Sequence, residues 1–161
     1  MLEILLAASM TYKMPDASFA EAYVLKELQT QGITDKNALA TVLGNIKQES
    51  MFHSNICEGG ARVEYENCHT GGYGLIQWTS LARYAGLGAF AMKYNCDPSS
   101  LECQTRYMMN EYQFQSILPD LKEGGKTIDQ YMKPAYSWLG WGVYGQRGTY
   151  AEEYRQRLTL D

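Results

Sequence analysis

A chain of 161 residues, 45% hydrophobic and 20% charged, has enough apolar material for one domain with a real core, burying roughly two thirds of its unfolded surface. A formal charge of −4 without any Lys/Arg cluster speaks against a nucleic-acid partner, because neutralising phosphates requires a basic face. No apolar run is long enough to span a membrane, and the early stretch Ile4 to Ala8 follows Glu3 and lacks the basic start and the length of a secretion signal.

No internal repeat, like-charge run or Pro/Ser tract divides the chain, so residues 1–161 are expected to form a single domain, with 1–15 as an extended arm. Ser18 and Glu21 have the spacing of a capping box and open a helix of about 18 to 31, which Gly32 ends. Thr34 is expected to cap the second helix. In it Leu39, Val42, Leu43 and Ile46 recur at three- and four-residue spacing and make a stripe for the core.

Continuing that stripe leads to Glu49, three residues past Ile46 and seven past Val42, in the stretch GNIKQES. The acid would thus face inward from the last helical turn. The competing reading puts it at a solvated, fraying helix end, and periodicity alone does not choose between the two. An inward carboxylate is costly to ionise, and the negative end of its own helix works the same way, so it would stay protonated near neutral pH. That is the property of a general acid, as glycoside hydrolysis requires.

From Ser54 to Trp78 the pattern changes to Gly59-Gly60, an alternating Arg62 to Glu66 run, Gly71-Gly72 and Tyr73-Gly-Leu-Ile-Gln-Trp78. We read it as a small β-hairpin region between the second and third helices. Thr79 or Ser80 reopens helix to about Tyr94. Asp97-Pro98 then starts another, with Leu101, Thr105, Met108 and Tyr112 on one face through residue 113.

Thr127 with Gln130 begins a fifth helix, bent or stopped near Pro134, and a last one runs from about Gly148 to Leu158. The expected class is mostly α, with about six helices and a small β region.

Four cysteines fall as two close pairs, Cys57/Cys68 and Cys96/Cys103, and suggest two small-loop disulfides in a protein that works outside a reducing cytosol. The rival reading takes Cys57 and Cys68 with His53 and His69 as a zinc set. Its spacing fits no usual zinc pattern, and disulfides account for both pairs, so neither metal nor cofactor is expected. His53 is read as a surface residue past the helix end, His69 as a loop residue, and Met108-Met109 as filling of an irregular core gap.

The stretch GGYGLIQWT, residues 71 to 79, adds three glycines that allow close approach of backbone to a ligand, with Gln77 able to hydrogen-bond and Trp78 to stack on a sugar. QES closing a helix and GYGLIQWT some twenty residues later resemble the phage tail lysozyme family and, more distantly, goose-type lysozymes and soluble lytic transglycosylases. The resemblance is strongest over about residues 35 to 85. The stretch QRGTYAEEY, 146 to 154, is similar to the closing helix of that family through Arg147, Tyr150, Ala151 and Tyr154.

The resemblance implies a lysozyme-like fold that cleaves the β-1,4 glycosidic bond of peptidoglycan, with Glu49 as general acid and with Tyr73 and Gln77 in the glycan cleft; Ser50 and Trp78 are further candidates for substrate binding. Where goose-type enzymes carry an Asp after the turn, this chain has Thr79, which can position a water but is no strong base. Candidates for a second carboxylate are Glu58, Glu64 and Glu66, with Glu64 preferred. If Val63 and Tyr65 pack inward, Glu64 and Glu66 are simply solvated. Most aromatics are read as packing, but the stretch 136 to 146, YSWLGWGVYGQ, is the exception: its four aromatics, Tyr136, Trp138, Trp141 and Tyr144, are expected to form a second wall of a glycan groove, with Tyr136 and Tyr144 as the candidates.

Three activities stay open: a muramidase, a lytic transglycosylase giving an anhydro product, and a non-catalytic glycan-binding or structural virion protein. The expected setting is a phage virion, carried at the tail or ejected, beside other tail or virion proteins, acting on the host cell wall and periplasm.

Overall fold

The computed structural model describes residues 11–161; the apolar run at residues 4–8 and the first ten residues of the expected arm lie outside the described residues. Within what remains of that arm, β1 (Tyr12–Lys13) pairs antiparallel with β2 (Thr159–Leu160). Seven helices follow among the described residues: α1 (Phe19–Thr30), α2 (Lys36–Ser50), α3 (Leu81–Tyr94), α4 (Leu101–Asn110), α5 (Tyr112–Glu123), α6 (Ile128–Leu139) and α7 (Arg147–Arg157). The class is mostly helical with a small antiparallel sheet, as the pattern of the sequence predicts.

The chain divides into two compact units, residues 46–115 and the remainder, the divisions falling inside α2 and α5. In the unit formed by the two chain ends, the capping box of α1 is present: Ser18 accepts from the Glu21 amide, and the Glu21 carboxylate accepts from the Ser18 amide. The same carboxylate accepts from the Tyr154 hydroxyl at 2.5 Å and the Arg157 guanidinium at 3.2 Å, so the start of α1 is fastened to α7. Gly44 lets α7 come close, since a Cβ there would lie 2.6 Å from the Ala151 nitrogen. The apolar stripe of α2, Leu39, Val42, Leu43 and Ile46, is buried throughout.

Several boundaries differ from the sequence reading. Asp35, not Thr34, caps α2, because its carboxylate accepts the Ala38 amide at 3.1 Å. Asp97-Pro98 forms a turn rather than a helix start: Asp97 accepts from the Ser99 amide, and Ser100 caps α4 by accepting from the Cys103 amide. The helix expected to run through residue 113 breaks at Glu111, whose ψ of 147° is extended, and α5 is the additional helix. Tyr112 starts it and is 82% exposed, so it does not share the buried face of Thr105 and Met108.

Pro134 does not stop α6, which continues to Leu139 and ends where Gly140 takes a φ of +63°. Tyr131, Met132, Ala135 and Trp138 are all buried on that helix, and their packing outweighs one lost backbone bond.

In the second unit the expected hairpin is reduced to isolated bridges, Ile56 to Arg62, Cys57 to Tyr73 and Tyr73 to Trp78. The alternating run Arg62 to Glu66 does not form a strand; it leads into a 3-10 turn, Tyr65–Asn67. Disulfides join Cys57 to Cys68 and Cys96 to Cys103. The two sulfurs of the rival zinc set are therefore bonded to each other. Tyr65 and Tyr84 stack at 4.3 Å and exchange hydroxyl-to-carbonyl hydrogen bonds, fastening the 3-10 turn to α3.

Candidate active site

Glu49 sits in the last turn of α2 and is half-buried, between the buried Ile46 and Ser50. The chain then leaves the helix through Met51 and Phe52, both left-handed at φ of +52° and +63°. Of four non-glycine residues with positive φ among the described residues, these two and Gln77 flank the acid and the glycine turn. Such conformations cost about 1 kcal/mol or more per residue and persist where surrounding structure imposes them, most often at functional sites.

The glycine-rich segment folds as a tight loop closed by two backbone bonds between Tyr73 and Trp78, at 3.0 and 3.2 Å. Gly74 takes a φ of +81° at its first corner and Gln77 one of +54° at its last. Ser50 donates its hydroxyl to the Leu75 carbonyl at 2.7 Å, so the residue after Glu49 is bonded to the middle of this loop. Helix end and glycine loop are thus brought together, as their pairing in the sequence implies.

Inside the loop the roles differ from expectation. Tyr73 is 0% exposed and Trp78 1% exposed, so neither ring has a face open to a sugar. Tyr73 donates its hydroxyl to the Val63 carbonyl at 2.9 Å, and burial pushes its phenol up to about 12. Trp78 donates its indole N–H to Glu111 at 2.8 Å, the same carboxylate that takes two bonds from Arg83. Both rings are core. Ser50 is also interior, at 3% exposed, and its hydroxyl serves the loop rather than a ligand.

Gln77 is half-buried, and its amide nitrogen donates to the Ile56 and Gly74 carbonyls at 3.2 and 2.9 Å. Thr79 is exposed and donates to the Gln77 carbonyl at 2.8 Å, which leaves its oxygen lone pairs as acceptors for a water. A Cβ on Gly72 would lie 2.9 Å from the Gln77 Cβ and 3.0 Å from the Thr79 Oγ1, so a bare glycine allows this grouping.

Glu58, Glu64 and Glu66 are all exposed, while Val63 and Tyr65 are half-buried. Glu64 precedes the 3-10 turn without capping it through its side chain. That is the solvated arrangement, and no buried second acid is found among these three. His53 is half-buried; burial, then the nearby Arg62 charge, lowers its pKa from the ordinary value. His69 is exposed in its loop.

In the other unit the segment after α6 presents aromatic faces. Tyr136 and Tyr144 meet Trp141 edge-on at 5.1 and 6.0 Å, and both tyrosines are exposed. The Arg147 guanidinium lies over the Trp141 ring at 4.4 Å and donates to buried Asn45 at 3.1 Å. Asn45 escaped the sequence reading, although an Asn on the core side of α2 four residues before Glu49 is a signal that a polar partner must be near.

The sequence model of the phage tail lysozyme family matches residues 20–158. No curated protein and no solved structure matches the chain.

Proposed function

The chain belongs to the phage tail lysozyme family, and on that footing we propose that it is a muramidase cleaving the β-1,4 bond of peptidoglycan with Glu49 as general acid. The family implies a lysozyme-like, peptidoglycan-degrading function in a phage-associated protein. Among the described residues no helix is long and apolar enough to cross a membrane.

The observation that carries the assignment of the acid is the bond between Ser50 and Leu75, which holds the last turn of α2 against the glycine loop. The Glu49 carboxyl there is half-buried, and a general acid must come within hydrogen-bond reach of the leaving-group oxygen that it protonates. Thr79 offers lone pairs to the attacking water, and Gln77 presents its carbonyl oxygen at the same edge. Tyr73 and Trp78 are buried and offer no ring face to a sugar, whereas Tyr136 and Tyr144, in the other unit, are exposed rings on which a sugar can stack.

One observation favours a second reading. The hydroxyl proton of Thr79 is committed to the Gln77 carbonyl, and the side chains of Glu58, Glu64 and Glu66 are all exposed, so none of the three candidate acids is desolvated as a second catalytic carboxylate. A lytic transglycosylase needs none, because a hydroxyl of the sugar itself attacks and an anhydro product forms.

Glu49→Gln tests the acid. It should keep the fold and lose about 10²-fold or more of activity on purified peptidoglycan; undiminished activity would refute the assignment, and a wild type without activity would indicate a glycan-binding virion component. Product masses differing by one water separate hydrolysis from the anhydro route. The setting we propose is one catalytic domain carried on a virion beside other tail proteins and acting on the host wall.

A further inference from the structure

Gln104 lies in the first half of α4, next to Cys103, and its side chain is fully buried. Its Oε1 accepts the Leu75 amide at 2.9 Å, while its Nε2 donates to the Ser54 carbonyl at 2.6 Å and the Pro98 carbonyl at 2.8 Å. One amide group thus satisfies three backbone groups from three separate stretches of chain. Gly74 is bare where it passes this side chain, and a Cβ there would lie 2.6 Å from Oε1.

Leu75 is therefore held on both of its polar groups. Its carbonyl takes the hydroxyl of Ser50, the residue after Glu49, and its amide is taken by Gln104. Ser54, a second Gln104 partner, is four residues downstream of Ser50, across the left-handed pair Met51 and Phe52. Gln104 consequently touches the loop that carries Gln77 and the segment that leaves the Glu49 helix, without itself reaching solvent.

We propose that Gln104 is a positioning residue for the reaction, fixing the Gln77 to Thr79 edge relative to the Glu49 carboxyl; this rests on Glu49 being the acid. A buried glutamine with a merely structural role would change stability alone when replaced. A positioning role changes turnover in molecules that remain folded, because small displacements of reacting groups are amplified in rate.

The test compares Gln104→Met, which keeps length and loses all three bonds, with Gln104→Glu, which keeps an acceptor for the Leu75 amide, and with Glu49→Gln. Amide exchange at Leu75 is followed by NMR, and kcat and KM are measured on soluble peptidoglycan fragments below the unfolding range of each variant. For Gln104→Met we expect faster exchange at Leu75, a kcat lower by about 10- to 100-fold and a KM within about twofold, with Gln104→Glu intermediate in kcat. Unchanged kcat in folded Gln104→Met, or a loss that only tracks the unfolded fraction, would overturn the proposal. If Gln104→Met does not fold, the decision falls to Gln104→Glu: a reduced kcat in the folded variant supports positioning, and a wild-type kcat overturns it. An active Glu49→Gln would instead refute the acid assignment, while the exchange rate at Leu75 reports the bond independently of activity.

Discussion

The buried hydroxyl of Ser50 lies 2.7 Å from the Leu75 carbonyl and 3.3 Å from the Ile46 carbonyl of its own helix. With one proton to give, it favours the shorter contact, across 25 residues of chain rather than back along α2. A serine near a helix end ordinarily bonds to its own preceding turn. Here the hydroxyl instead joins the end of the Glu49 helix to the loop of Gln77.

Ser50→Ala removes that donor and leaves a buried carbonyl without it. The expected cost is about 1–3 kcal/mol, a fall in melting temperature of roughly 2–4 °C per kcal/mol for a chain of this size. Activity should fall although Glu49 is intact. Calorimetry with a cell-wall clearing assay on the same sample reads both, and a variant with wild-type activity would separate the tie from the chemistry.

Trp78 and Tyr144 are expected to behave oppositely. Trp78→Phe loses the bond to Glu111 and some core volume, so stability should drop by about 1–3 kcal/mol with KM for glycan unchanged. Tyr144→Ala removes an exposed ring, so the melting temperature should stay nearly constant while KM rises several-fold. A raised KM in Trp78→Phe with unaltered stability would return that ring to the cleft.

Glu21 supplies an acid-side stability term. Burial opposes its ionised form, but the bonds from Arg157, Tyr154 and the Ser18 amide prevail and bring its pKa from 4.5 down to about 2. The unfolded chain therefore binds the extra proton first, so the contribution is present in full above about pH 4.5 and is lost as pH falls toward about 2. Glu21→Gln should flatten the stability profile across that window. Urea unfolding at stepped pH measures it, and an unchanged slope would contradict the network.

The disulfide between Cys57 and Cys68 closes a loop of 11-residue separation that carries Glu58, Glu64 and Glu66. Replacing both cysteines by serine should cost about 3 kcal/mol, and a reductant should lower the melting temperature of the wild type in the same direction. An unaltered melting temperature in the double variant would show that the loop is held by its other bonds.

Much of the fold was legible because it rests on local rules. Ser18 with Glu21, Thr127 with Gln130, and the stripe of Leu39, Val42, Leu43 and Ile46 each specify their helix within a dozen residues, and the structure keeps them. The cysteine pairs were readable for the same reason, being near neighbours in the chain. Residues 62 to 66 misled because strand-like alternation cannot make a strand without a partner, and the section is held by a disulfide and tyrosine stacking instead. Of the two outcomes expected at Pro134, a bend or a stop, the stop does not occur, since the local penalty is overridden by burial of Tyr131, Ala135 and Trp138.

By itself, the sequence determined that a carboxylate closes a helix whose apolar face is buried, and that a glycine loop with a glutamine follows it. Only the tertiary structure decided which neighbours face inward: Tyr73 and Trp78 as core, Ser50 and Gln104 as anchors of Leu75, Tyr136 and Tyr144 as exposed rings. Periodicity reports the bonds and faces a residue shares with near neighbours, whereas exposure of a ring and the partner of a buried amide depend on segments 25 to 50 positions away, which no local pattern encodes.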